Sequence, residues 1–273
     1  MPTLTDRFAR ESFWLVLILA GFTVLATIYS LVTPLFEASD ELWHYPMVKY
    51  VADHDFGLPV QRPGLSDTEA PWRQEGGQPP LYYLIGAAAT FWIDTSDMPE
   101  IRRINPHANI GEIWPDGNVN MVVHDRERES FPWSGTALAM HIVRFLSILM
   151  SLGTVYVNYC LGRELFPPAP IIGLAAAAFT AFNPMFLFVS AIINNDNLST
   201  LLASLLLLLI VRLIKSGAGN SRSDLPLSVT WRWGRGARLS TFVLLGLVAR
   251  AGMLAKFQIG FMLQLLALAP LIV

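Results

Sequence analysis

The 273-residue chain is 53% hydrophobic and only 15% charged, with a formal net charge of −2. Its apolar residues gather in long runs, which excludes a water-soluble globular domain and indicates an all-α polytopic membrane protein. The single cysteine, Cys160, excludes an intramolecular disulfide and any cysteine-based metal or redox centre.

Phe13–Val32 carries no charged residue and is long enough to cross a hydrocarbon core of ~30 Å, which takes about 20 residues. It is too long for a cleavable signal peptide and lacks a small-residue cleavage site. Membrane spans are expected at about 13–33, 144–162, 171–193, 197–214, 239–255 and 257–273. Between the first two, residues 34–140 form a long loop with interfacial helices expected at about 40–53 and 79–93. In the first of these, Leu42, Trp43, Met47, Val48 and Val51 fall on or near one face, and Trp43, Tyr45 and Tyr50 suit headgroup level. Pro46 would sit early in that helix or kink it. Residues 94–133, rich in Pro, Asn, Gly and charge, read as an irregular segment that is either mobile or functional, covering a site or recognising an acceptor. The chain ends at Val273 inside an apolar run, so it is expected to be the N-terminal portion of a longer protein.

Charge sets the expected orientation. Between Glu37 and Met140 there are seven Lys or Arg against sixteen Asp or Glu; between Arg212 and Arg238 there are six basic residues and one acid, Asp224. The positive-inside bias then puts the second segment and the N-terminus in the cytoplasm, and the long acidic loop and Asn194–Asn197 outside. The basic inner residues are an orientation signal, so nothing points to nucleic acid.

An acidic knot, Phe36-Glu37-Ala38-Ser39-Asp40-Glu41-Leu42-Trp43-His44, directly follows the first span. Carboxylates there suit chemistry on a substrate whose tail lies in lipid and whose head sits at the surface; the bland alternative is a solvated acidic loop. Neighbouring residues of a helix do not share a face, so one of Asp40 and Glu41 is expected to be structural, capping the helix or pairing with Arg or Lys. Asp196, among three asparagines between apolar runs, is either a helix-capping turn or a second functional carboxylate. Lys256 interrupts an apolar segment, where a charge is expensive and serves a partner. Arg144 opens its span and either meets a substrate, snorkels, or pairs with a carboxylate.

Taken in order, Asp40-Glu41, Trp43-His44-Tyr45, Gln74-Glu75-Gly76-Gly77-Gln78-Pro79-Pro80-Leu81-Tyr82-Tyr83, Arg144, Asn194-Asn195-Asp196-Asn197 and Leu254-Ala255-Lys256-Phe257 resemble the membrane glycosyltransferases of the C superfamily. More narrowly they resemble the bacterial protein O-mannosyltransferase-like and aminoarabinose-transferase-like branch (glycosyltransferase family 39-like). The resemblance departs at Gln78, where relatives often carry Lys, and at residues 94–133, which look like an insertion. It implies an inverting enzyme of the bacterial plasma membrane, moving a sugar from a polyprenyl-phosphate donor to a protein, lipid or glycan acceptor on the extracytoplasmic face. It further implies Asp40 as general base with Glu41 next, and substrate contacts from His44, Glu75, Gln78, Tyr82, Tyr83, Arg144, Asn195, Asp196 and Lys256; the alternatives are that His44 orients Asp40 or is a surface residue, and that Tyr82 and Tyr83 anchor their helix. A divalent cation held by Asp40, Asp196 and Glu75 is conceivable, but nothing in the spacing demands one. The competing readings are a transporter or channel, against which no matched broken helices or inverted repeat are visible, and a non-catalytic lipid-binding or assembly protein of the same fold.

Overall fold

The computed structural model describes residues 4–38, 40–60, 70–110, 119–218, 239–262 and 264. Among them all regular structure is helical, apart from one isolated bridge between Ile104 and Val122. The helices are α1 (Leu4–Val32), α2 (Glu41–Asp53), α3 (Leu81–Thr90), α4 (Met98–Ile101), α5 (Arg126–Glu129), α6 (Gly135–Leu165), α7 (Pro170–Ala181), α8 (Pro184–Ser190), α9 (Asp196–Ala218) and α10 (Leu239–Ala255). Short 3-10 turns cover Arg73–Gly77 and Phe257–Phe261. The chain divides into two compact units. One comprises Met1–Thr23, Met150–Phe186 and Leu198–Val273; the other comprises Val24–Leu149 and Leu187–Asn197.

Three described helices are long and apolar enough to cross a membrane: Arg10–Val32 of α1, α6, and Asp196–Lys215 of α9. The pair α7 and α8, bent by 65°, counts as a fourth if it forms one broken span. The bend has a local cause. Pro184 cannot continue α7, and the Asn183 side chain accepts from the Met185 and Phe186 N–H groups, capping α8. Where a span was expected from 257, a 3-10 turn follows α10; residues 265–273 lie outside the described ones, as does the basic stretch 219–238.

In the first unit, Leu206, Leu209 and Ile210 of α9 pack with Leu245 and Ala249 of α10 and with Ile259. Glu11 accepts from Tyr159 Oη at 2.7 Å and pairs with Arg163 Nε at 2.9 Å. Lys256 is half-buried and extended between α10 and the following 3-10 turn. Its N–H closes the last turn of α10 on the Gly252 carbonyl.

The second unit is built around α2 and α3. Residues Glu41 to Val48 and Val51 are buried, so the expected helix with one face against headgroups is instead enclosed on both faces. Gly86 permits this packing, since a Cβ there would come within 3.0 Å of Val48. Helix α6 begins at Gly135, ahead of its expected start near 144, because its first turns spend their polar groups on partners inside the unit. Asp97 Oδ1 accepts from the Thr136 N–H and hydroxyl, at 2.9 and 2.7 Å. Gly135 holds φ 54, and a Cβ there would lie 2.4 Å from the Asp97 carboxylate.

Candidate active site

Asp40 and Glu41 are adjacent in sequence and opposite in circumstance. Glu41 is fully buried. Its Oε1 accepts from Arg144 Nε at 2.8 Å and the Ile193 N–H at 3.0 Å; its Oε2 accepts from Arg144 Nη2 at 2.5 Å and the Phe36 N–H at 3.1 Å. The remaining Arg144 donors reach the Ser30, Thr33 and Pro34 carbonyls at 2.7, 2.8 and 3.0 Å. These carbonyls belong to the end of α1 and the turn beyond it, where helical acceptors run out of donors. One bidentate pair therefore joins the end of α1, the start of α2, α6 and the turn before α9. The residue expected to be structural is Glu41, and its partner is Arg144.

Asp40 occupies the N-cap of α2 with φ 60 and ψ −19, and its exposed side chain makes no capping hydrogen bond. The left-handed conformation costs a non-glycine residue on the order of 1 kcal/mol. It persists because the backbone that follows is pinned: Glu41 is locked to Arg144, and the Asp40 carbonyl accepts the Trp43 and His44 N–H groups. A carboxylate that could have capped its helix is turned outward. On the other side of Asp40, Glu37 accepts the Met121 and Val122 N–H groups at 2.9 and 3.0 Å. His124 bridges Glu37 and Glu129 through its two ring nitrogens, at 3.0 and 2.9 Å. Part of the irregular segment is thus fastened three residues from Asp40. Nothing in the sequence pairs these residues, and they were missed.

A second polar group lies where α2 and α3 pack. Tyr83 donates to Glu75 Oε2 at 2.8 Å, and its oxygen lies 2.9 Å from His44 Nδ1. With the phenol proton given to Glu75, the His44 N–H is the donor to that oxygen. Burial and then the Glu75 charge raise the Tyr83 pKa far above a free phenol, with Asp196 adding to the effect. Tyr82, raised chiefly by burial, pairs with Ser147 Oγ at 2.8 Å and accepts the Asn194 N–H at 3.1 Å. Both phenols therefore act as neutral donors or acceptors. Gln78 Oε1 accepts from Asn195 at 2.9 Å. Asp196 is half-buried and opens α9, with Asn194 Oδ1 accepting its N–H at 2.8 Å. The asparagine turn is locked further by Asn197, whose side-chain amide donates to the Val189, Ile192 and Asn194 carbonyls.

The unit thus connects His44, Glu75 and Tyr83, connects Gln78 with Asn195, and brings Asp196 close enough to act electrostatically on Tyr83. Lys256 belongs to the other unit. Among the described residues no group of three His, Cys, Asp or Glu side chains converges to hold a metal, and the conceived cage of Asp40, Glu75 and Asp196 does not form. Chemically, the unit offers an exposed, uncapped carboxylate at the start of α2, and separately a buried set of hydrogen-bonded side chains between α2, α3 and the asparagine turn.

Residues 133–236 match the family model described as dolichyl-phosphate-mannose-protein mannosyltransferase. The match covers less than half of the chain; it supports the glycosyltransferase C superfamily and takes in Arg144, Asn195 and Asp196. No curated protein and no solved structure matches the chain significantly.

Proposed function

We propose that this integral membrane protein is an inverting glycosyltransferase that moves a sugar from a polyprenyl phosphate to an acceptor hydroxyl on the extracytoplasmic face of a bacterial plasma membrane. One observation carries the reading: Asp40 is held outward in a left-handed conformation, uncapped and exposed, by the buried Glu41–Arg144 pair. The matched family supports the chemistry.

In the proposed reaction the acceptor hydroxyl gives its proton to the Asp40 carboxylate as its oxygen bonds to the anomeric carbon. The bond from that carbon to the phosphate oxygen breaks, and the polyprenyl phosphate leaves with the electron pair. A base at this position contributes typically ~10²–10⁴-fold to the rate. Glu41 is a positioning residue in this scheme, since its oxygens are spent on Arg144 and backbone N–H groups. Gln78 and Asp196, both half-buried, are proposed to face the sugar, with the buried Tyr82, Tyr83, His44, Glu75 and Asn195 supporting them from beneath. Lys256 is proposed on its own account as a cation for lipid phosphate.

The test is stereochemical. The purified protein in micelles is supplied with an α- or β-linked polyprenyl-phosphate sugar and an envelope acceptor fraction, and the product linkage is read by NMR. Transfer with inverted anomeric configuration is expected. Retention would overturn the single-displacement scheme, and no turnover with any sugar donor would favour a non-catalytic lipid-binding role.

A further inference from the structure

Two cations gather beside the first turn of α2, outside the network described above. The guanidinium carbons of Arg73 and Arg102 lie 3.8 and 5.3 Å from the centroid of the same Trp43 ring. Arg102 is anchored for a reason legible in the chain. Pro46 has no N–H, so the carbonyl four residues earlier, that of Leu42, is left without its helical donor. Arg102 Nε supplies the missing bond at 3.1 Å, and its Nη2 reaches the Pro71 carbonyl at 3.2 Å. Among the described residues, three of its five N–H groups remain. Arg73 heads the 3-10 turn with a left-handed φ of 44 and an exposed side chain.

The arrangement is costly. Burial and then the Arg73 charge lower the Arg102 pKa to about 10. Among the described residues neither guanidinium has a carboxylate partner, although the surrounding loop is rich in acids. Two like charges over one ring, one of them on a residue with a left-handed φ, would both be answered by an anion. Planar guanidinium forks match phosphate oxygens in pairs, and both cations lie over the indole, whose ring face attracts them.

We infer that Arg73 and Arg102, stacked on Trp43, form a clamp for a phosphate group of a substrate, one helical turn from Asp40. The inference rests on the glycosyltransferase reading for the nature of the substrate. The phosphate belongs either to the carrier lipid or to the acceptor.

Phosphorus NMR titration of the full chain in micelles, with inorganic phosphate and separately with a polyprenyl monophosphate, tests this. Wild type is expected to bind inorganic phosphate, and Arg73→Gln to weaken it about tenfold or more; Arg73→Lys should recover part of the loss. Arg73 carries the test because among the described residues its side chain donates to no backbone group, whereas Arg102→Gln also frees the Leu42 carbonyl. A parallel loss of polyprenyl monophosphate affinity assigns the clamp to the carrier. Unchanged carrier affinity, with phosphate binding lost, assigns it to the acceptor. Equal phosphate affinity in wild type and Arg73→Gln, or none in wild type, overturns the clamp. Asp40→Asn is the control: full turnover there with a functioning clamp would sink the base assignment and leave the clamp standing.

Discussion

Glu41→Gln leaves the fully buried Arg144 guanidinium without its counter-charge, and Arg144→Met leaves the Glu41 carboxylate equally stranded. Breaking one side of a buried pair costs about 3–5 kcal/mol, most of it from the charge left behind. Both single variants should therefore lower the thermal midpoint in detergent sharply, and the double variant should fall by less than the two singles together. Activity should decline in step with folded protein. A Glu41→Gln protein as stable as wild type but inactive would instead make Glu41 the base. The same pair marks what a sequence shows and hides. The adjacent carboxylates after a span are plainly legible, and so is the expectation that one of them is structural, as a cap or as the partner of an Arg or Lys. The partner stands 103 residues away, and nothing local to Arg144 distinguishes a buried donor from a snorkelling one.

Among the elements, α6 depends on a junction that no hydropathy pattern reports. Its first turn is capped from outside by Asp97, and Gly135 holds a left-handed φ against that carboxylate. Gly135→Ala is strained twice, by conformation and by overlap, and should cost more than the ~1 kcal/mol of an ordinary glycine replacement. Thermal unfolding in detergent measures it, and a neutral or stabilising result would contradict the capping geometry. The early start of α6 was missed for a related reason. Thr136, His141 and Arg144 look like residues that end a span, yet all three are buried; hydropathy scores preference for water and ignores partners supplied by the fold. Helix α2 was recognised from its period but given the wrong surroundings, because α3 and the Arg73–Gly77 turn enclose it from beyond its own sequence. Spans with uninterrupted apolar runs, α1 and α9, were the easiest to read.

At the scale of the whole molecule, the charge asymmetry between the two loops carries the proposed orientation. In a chain whose only native cysteine, Cys160, is replaced by serine, cysteines at the exposed positions Ser96 and Ser130 should react with an impermeant maleimide in intact cells. A cysteine at Ser221, in the basic loop, should react only after permeabilisation. Labelling of Ser221 from outside would invert the topology and remove the extracytoplasmic site. The sharpest measurement concerns Asp40 itself, because the reading depends on that carboxylate taking the acceptor proton. Single-turnover transfer from a radiolabelled polyprenyl-phosphate sugar should fall ~10²–10⁴-fold in Asp40→Asn. Its exposed side chain holds no cap, so thermal stability and donor affinity should stay at wild-type values. Transfer at the wild-type rate by folded Asp40→Asn would contradict the account.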